Sequence, residues 1–311
     1  MVENSLTPVS GQTFKDIIEE KIIYVDKTAI LSNLIETPTK TWFLSRPRRF
    51  GKSLTVSTLE SIFSGEKELF KGLAIENRLQ ERRFSRRPVI YLDMSKLDMI
   101  TGVHGFEKSL NILTVRVGRF LGIDLPAELF SITLITILIE EVYLKYQTKM
   151  AILIDEYDTP VTDFLDSPKE RNAVLNILYA YYREINANDR YISFVFVTGK
   201  TKYIQGGLYS AFNTPTDISF APDFGALTGF THTELECYYA SELDKTAEHL
   251  KILKNDLLEQ MRHYYNGFCF DGVTYVYNPY LILQFLFNKK FLNYWYNYGT
   301  PKQLIAEVTN Y

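Results

Sequence analysis

Short apolar runs rich in β-branched and aromatic residues alternate along this chain with longer segments whose apolar positions recur at helical spacing. The short runs, at 41–44, 89–93, 150–154, 191–198 and 218–220, read as strands, and most are apolar at nearly every position. Such a run belongs in a sheet covered on both faces, because a half-exposed strand would alternate polar and apolar residues. Between them, Phe106, Leu110, Leu113, Val117 and Phe120 mark one helix and Val174, Ile177, Leu178, Tyr181, Tyr182 and Ile185 another. Asp26 precedes a shorter helix whose buried stripe is Ile30, Leu31 and Leu34, and its carboxylate can cap that helix. The alternation predicts an α/β fold with a parallel sheet and crossover helices.

The character changes after Pro222. Strand patterns thin out, and Thr231 opens a helical stretch with Glu234 three residues on, the spacing of a capping box. Helical pattern continues to Tyr265, a turn-rich stretch at 265–279 predicts a small β-hairpin or wing, and Tyr280 to Phe287 returns to helix. We therefore expect a core over residues 1–225 and a smaller, mainly helical or winged-helix-like unit over 226–311. The last apolar helical stretch, at 303–308, suggests a longer parent protein.

Composition adds exclusions. The chain has 311 residues, 46% hydrophobic, with a formal charge of -3, so no global attraction draws it to nucleic acid or an anionic membrane. Its two cysteines, Cys237 and Cys269, are far apart and unpaired in spacing, and its four histidines show no metal-ligand spacing, which points to a reducing, cytoplasmic setting without a zinc site. The amino terminus lacks a secretory pattern, and the run at 129–139 is far shorter than the ~20 residues of a membrane span.

Candidate chemistry starts at Phe50-Gly51-Lys52-Ser53-Leu54, directly after the first strand and opening a helix. A loop that runs into a helix start aims backbone N–H groups at an anion, and the helix dipole adds favourable potential. Lys52 would reach the β- and γ-phosphates of a nucleotide, and the Ser53 hydroxyl would hold Mg²⁺. The strict phosphate-loop pattern requires glycine where Arg46 stands, and the plain alternative is a basic, solvated helix start. Downstream, the apolar strand at 150–154 ends in Asp155 and Glu156. Carboxylates at a strand's carboxyl end face the crevice where open α/β sheets bind ligands: Asp155 would hold Mg²⁺, and Glu156 would orient and deprotonate a water attacking the γ-phosphate. Asp158 reads equally as a helix cap. A strand ending in Thr198-Gly199 adds a polar residue that would sense the γ-phosphate or hold that water. Arg48 and Arg49, with Arg46, crowd the loop and could neutralise phosphate charge or serve as an arginine finger. A second basic cluster, Arg82, Arg83, Arg86 and Arg87, is a candidate contact for a nucleic-acid backbone, with a solvated surface turn as the commoner reading.

Taken together, Tyr24-Val25-Asp26-Lys27-Thr28, Arg46-Pro47-Arg48-Arg49-Phe50-Gly51-Lys52-Ser53, Ile154-Asp155-Glu156-Tyr157-Asp158, Thr198-Gly199, Tyr265-Asn266-Gly267-Phe268 and Tyr277-Asn278-Pro279 resemble the AAA-ATPase-like P-loop proteins of bacteria and archaea. That family's loop reads R-P-R-R-F-G-K-S, so the resemblance makes Arg46 a family feature. It implies an ASCE-type P-loop core, a winged-helix-like lid, use of ATP and Mg²⁺, and often a fused PD-(D/E)XK-type nuclease; the Glu19-Glu20-Lys21 sequence lacks the context for nuclease residues. Lys200 and Thr201 depart from the small apolar residue and serine expected after Thr198-Gly199. The expected function is Mg-dependent ATP hydrolysis driving or gating an effector. The alternatives are a nucleotide-gated switch with little turnover, or a DNA-binding module with a vestigial loop. Base preference, self-association and biological process are not written in these motifs.

Overall fold

A computed structural model describes residues 11–294 apart from 99, 203–207 and 213–214; the run at 303–308 lies outside them. In chain order the helices are α1 (Phe14–Glu19), α2 (Thr28–Glu36), α3 (Lys52–Ser64), α4 (Gly102–Phe120), α5 (Ser131–Tyr146), α6 (Thr159–Thr162), α7 (Pro168–Ala187), α8 (His232–Tyr238), α9 (Ala240–Leu250), α10 (Lys254–Tyr265) and α11 (Pro279–Asn288). Strands β1 (Thr41–Ser45), β2 (Val89–Asp93), β3 (Met150–Asp155), β4 (Ile192–Gly199) and β5 (Thr216–Asp217) pair in parallel as one five-stranded sheet in the order β2-β3-β4-β1-β5. All carboxyl ends therefore lie along one crest. The strand before the phosphate-loop candidate, β1, and the strand ending in Asp155, β3, are not neighbours, since β4 lies between them.

The near-continuous apolar runs of β1, β3 and β4 are explained by what covers them. Phe43, Ile152, Ile154, Val195 and Val197 point to a core shared with α4, α5 and α7, while Trp42, Leu44, Ala151, Leu153, Phe194 and Phe196 point to a second core shared with α1, α2 and α3. Alternate residues of one strand thus feed opposite cores, and every residue of β3 is buried. Burial of this apolar area is the main favourable term, roughly 1.5–3 kcal/mol for each large side chain removed from water.

Two strand and helix expectations need correction. The edge strand forms at Thr216–Asp217, not at 218–220; Ile218 still donates its N–H to Phe43 O at 2.9 Å, but Phe220 has left the sheet and is 71% exposed. Phe120 ends α4 at 84% exposure, off the buried stripe, because it falls on the helix's last residue where the chain turns away.

A third apolar cluster gathers residues of 230–294, together with Val25. Here β6 (Phe230–Thr231), β7 (Asn266–Cys269) and β8 (Tyr275–Tyr277) form a three-stranded antiparallel sheet in the order β6-β8-β7, flanked by α8 to α11. The capping box at Thr231 is formed, with Glu234 N bonded to Thr231 Oγ1 at 3.2 Å and Thr231 N to Glu234 Oε2 at 2.8 Å. The segment Tyr24 to Thr28 joins this part to the main sheet. Asp26 accepts from Thr28 N at 2.8 Å and Ala74 N at 2.8 Å, and Lys27 Nζ reaches Glu234 Oε2 at 2.6 Å in a largely buried ion pair.

Candidate functional site

The loop between β1 and α3 turns through two left-handed residues, Arg49 (φ 64°) and Gly51 (φ 92°). Gly51 adopts that conformation at no steric cost and N-caps α3 without any side-chain acceptor. The first helical bond runs from Thr55 N to Gly51 O at 2.9 Å, so the N–H groups of Lys52, Ser53 and Leu54 open the helix without intrahelical acceptors. That is the geometry in which a helix start binds anions.

Asp155, at the end of β3, is 2% exposed and accepts hydrogen bonds from the hydroxyls of Ser53 and Thr198. Burial pushes its carboxyl up against the lowering effect of those two bonds. Two motifs about 100 residues apart in sequence, Ser53 and Asp155, therefore meet at one point on the crest. Thr198 is fully buried with its hydroxyl given to Asp155, and the same oxygen accepts Glu156 N at 3.4 Å. In this arrangement its hydroxyl supports the carboxylate of β3.

Glu156 follows in the left-handed region (φ 54°), an unusual state for a residue with a side chain, costing about 1–2 kcal/mol. The turn carries its carboxylate back over the loop. Its Oε1 lies 3.3 Å from Lys52 Nζ, and its Oε2 lies 3.1 Å from Lys200 Nζ and accepts from Thr159 Oγ1 at 3.0 Å. Burial pushes this carboxyl up, but Lys52 and Lys200 outweigh it and hold the group below the usual carboxylate range. Lys52 also donates to the carbonyls of Arg46 at 3.0 Å and Pro47 at 3.2 Å, so its ammonium lies folded across the loop.

The loop arginines separate. Arg46 is 1% exposed and turned inward: Nε donates to Thr228 Oγ1 at 3.1 Å, Nη1 to the carbonyls of Ser45 at 2.9 Å and Ser219 at 2.5 Å, and Nη2 to Phe224 O at 3.3 Å. Its guanidinium also lies 4.0 Å from the centre of the Phe270 ring. Burial lowers its pKa to about 10, and it stays charged at neutral pH. The expectation that the Arg46 side chain neutralises phosphate is corrected, since its donors tie the loop to residues 219–228; its backbone oxygen alone meets Lys52. Arg48 and Arg49 are exposed, and Arg49 stacks 4.0 Å over Tyr280. Phe50, fully buried, packs edge-on to Phe268 and Phe270 at 4.7 and 5.4 Å. Its carbonyl accepts Gly229 N at 3.2 Å, while Arg48 O accepts Asn278 Nδ2 at 3.4 Å.

Sequence reasoning missed three contributors. Lys200 looked like a departure from pattern and reaches Glu156 only because β4 lies beside β3; Thr159 carried no motif and reaches it locally, three residues on at the start of α6. The third is the brace on the loop, where the Asn266-Gly267-Phe268 and Tyr277-Asn278-Pro279 motifs had signalled importance without a role. Asp158 is fully buried and accepts from the N–H groups of Lys200 at 3.1 Å and Thr201 at 2.9 Å, fixing the turn after β4. The four arginines at 82–87 precede β2, at the opposite end of the sheet from this crest. Arg87 is turned in, donating to Ser193 Oγ at 3.0 Å and lying 4.9 Å from the Phe63 ring, whereas Arg82, Arg83 and Arg86 are exposed.

A family model described as predicted AAA-ATPase matches residues 8–209, which hold the whole loop, Asp155, Glu156, Thr198 and Lys200. The chain belongs to that family. It is also 32% identical over 304 residues to an uncharacterized protein in the vnfD 5' region of Azotobacter chroococcum mcd 1, an alignment that covers 97% of this chain and 56% of that protein. The chain thus spans little more than half the length of that relative. Among the described residues of this family member, no helix is long and apolar enough to cross a membrane.

Proposed function

We propose that this AAA-ATPase family member binds Mg·ATP on the crest and hydrolyses it to ADP and phosphate. The observation that carries the reading is the meeting of Ser53 and Asp155, with Lys52 and Glu156 in contact beside them. In this reading the N–H groups from Gly51 to Leu54 and the Lys52 ammonium hold the β- and γ-phosphates, and the exposed Arg48 and Arg49 add positive potential at the mouth. Ser53 and Asp155 offer only oxygen donors, and a desolvated carboxylate is stabilised by a cation, so this pair fits Mg²⁺. When bound, the ion supplies charge neutralisation at the terminal phosphate oxygens. Thr198 holds Asp155 in position. Lys52 moves from Glu156 to the phosphates, and the released carboxylate oxygen of Glu156 orients the attacking water and takes its proton.

The test is multiple-turnover phosphate release with and without Mg²⁺. Glu156→Gln is expected to lower kcat at least ~100-fold while ATP still binds, and Lys52→Ala to abolish binding. Unchanged turnover in both variants would refute the assignment.

A second reading, a switch that binds ATP and turns over little, is favoured by the bracing of the loop by Gly229, Asn278, Phe268 and Phe270, which could carry occupancy to residues 229–280 and on to an effector. In that case Glu156→Gln leaves an already slow rate where it was. Nucleic-acid binding through Arg82, Arg83 and Arg86 has its own signature: salt-dependent duplex affinity that survives Lys52→Ala and is lost when the three become Ala.

A further inference from the structure

Glu156 has two carboxylate oxygens and two different sets of partners. Oε1 faces Lys52, a residue that must leave it to meet a triphosphate. Oε2 is held by Lys200 at 3.1 Å and Thr159 at 3.0 Å, and Lys200 Nζ donates to the same Thr159 hydroxyl at 2.9 Å, closing a three-membered ring of contacts. Lys200 is itself fixed from behind, because its backbone N–H is bonded to the buried Asp158 carboxylate. The Lys200 and Glu156 side chains are only 15% and 16% exposed, so solvent screens this pair weakly. A glutamate has three rotatable bonds, and an attacking water needs one oxygen in one place.

We propose that Lys200 is a positioning residue that, with Thr159, holds Oε2 of Glu156 so that Oε1 is the oxygen left to meet the attacking water once Lys52 turns to the phosphates. The inference rests on the hydrolysis reading above. It assigns a role to a residue that no motif singled out, and it separates the two lysines that touch one carboxylate: Lys52 exchanges partners during the cycle and Lys200 does not. Lys200 need not touch the nucleotide, and its effect passes entirely through Glu156.

That dependence gives the experiment. Steady-state ATP hydrolysis and ADP affinity are measured for the wild-type chain, Lys200→Ala, Lys200→Arg, Glu156→Gln and the Lys200→Ala/Glu156→Gln double variant. Lys200→Ala is expected to lower kcat about 10- to 100-fold with KM for ATP and ADP affinity within about twofold, and Lys200→Arg to recover most of the loss. In the Glu156→Gln background the alanine is expected to cost less than about twofold more, since its only target has already been disabled. Losses that multiply in the double variant, a KM that rises together with the fall in kcat, or a kcat that stays level or climbs in Lys200→Ala would each overturn the proposal. Should Lys200→Ala fail to fold, as judged by circular dichroism, Thr159→Val removes the second partner of Oε2 and must show the same kcat-only loss and the same non-additivity. Wild-type protein without Mg-dependent turnover removes the hydrolysis reading and this inference together, whereas normal turnover with multiplicative losses removes this inference alone.

Discussion

Restoring the missing glycine of the phosphate loop should harm this protein. Arg46 occupies the position at which the strict loop pattern has glycine, so Arg46→Gly would complete the motif on paper. In the structure the guanidinium makes four hydrogen bonds, three to the carbonyls of Ser45, Ser219 and Phe224 and one to the Thr228 hydroxyl, and stacks on Phe270. Removing one partner of a buried, charge-assisted network costs about 3–5 kcal/mol, because carbonyls that had a donor are left without one. Glycine adds roughly 0.5–1 kcal/mol of lost chain entropy. The contacts share one side chain and do not add, so about 4 kcal/mol is the working figure. For a chain of this size each kcal/mol moves the thermal midpoint by roughly 2–4 °C, which puts the loss near 10 °C. Differential scanning calorimetry on both proteins, with ADP binding measured at 20 °C below the lower midpoint, checks it. A midpoint within about 2 °C of wild type would refute the tie between loop and residues 219–228. If nucleotide affinity collapsed while stability held, Arg46 would be contacting phosphate after all.

Other expected outcomes follow from the same geometry. Gly199→Ala would place a methyl carbon 2.5 Å from ring carbons of Tyr157 and 2.7 Å from Asp158 Oδ1, so the turn that carries Lys200 must shift; we expect kcat to fall at least ~10-fold, with an unchanged rate counting against a tightly built crest. Thr198→Val keeps the shape but removes the hydroxyl that supports Asp155, and is expected to raise the Mg²⁺ concentration for half-maximal nucleotide binding by about 10-fold, as loss of such supporting contacts does at metal sites; titration of Mg²⁺ at fixed ATP reads this directly. At the β7–β8 turn, desolvation raises the Asp271 carboxyl, but hydrogen bonds from Thr274 and Val273 together outweigh it and hold its pKa at about 2 against an ordinary 3.8. The folded value is the lower one, so this contribution to stability is complete above 3.8 and is lost as pH falls toward about 2. Asp271→Ala should therefore lower the urea midpoint at neutral pH and make little difference near pH 2, and an equal effect at both would contradict the assignment.

What this sequence decides by itself is local. Apolar runs at 150–154 and 191–198 read as strands covered on both faces, because a strand with one wet face would alternate polar and apolar residues. Gly51-Lys52-Ser53 after a strand opens a helix, and Thr231 with Glu234 caps one. The residues of the crest were legible for the same reason: a loop with a lysine and a strand ending in two carboxylates carry their chemistry in the order of the residues. Pairing across the sheet was not legible, because strand order depends on which faces the helices cover and not on any single run. Only with β4 set between β1 and β3 do Thr198 and Lys200 come to Asp155 and Glu156. Nor could the chain order show that Arg46 turns inward, since the carbonyls that hold it come from residues about 170 positions later, and the free energy of burying a guanidinium depends on whether those acceptors are there.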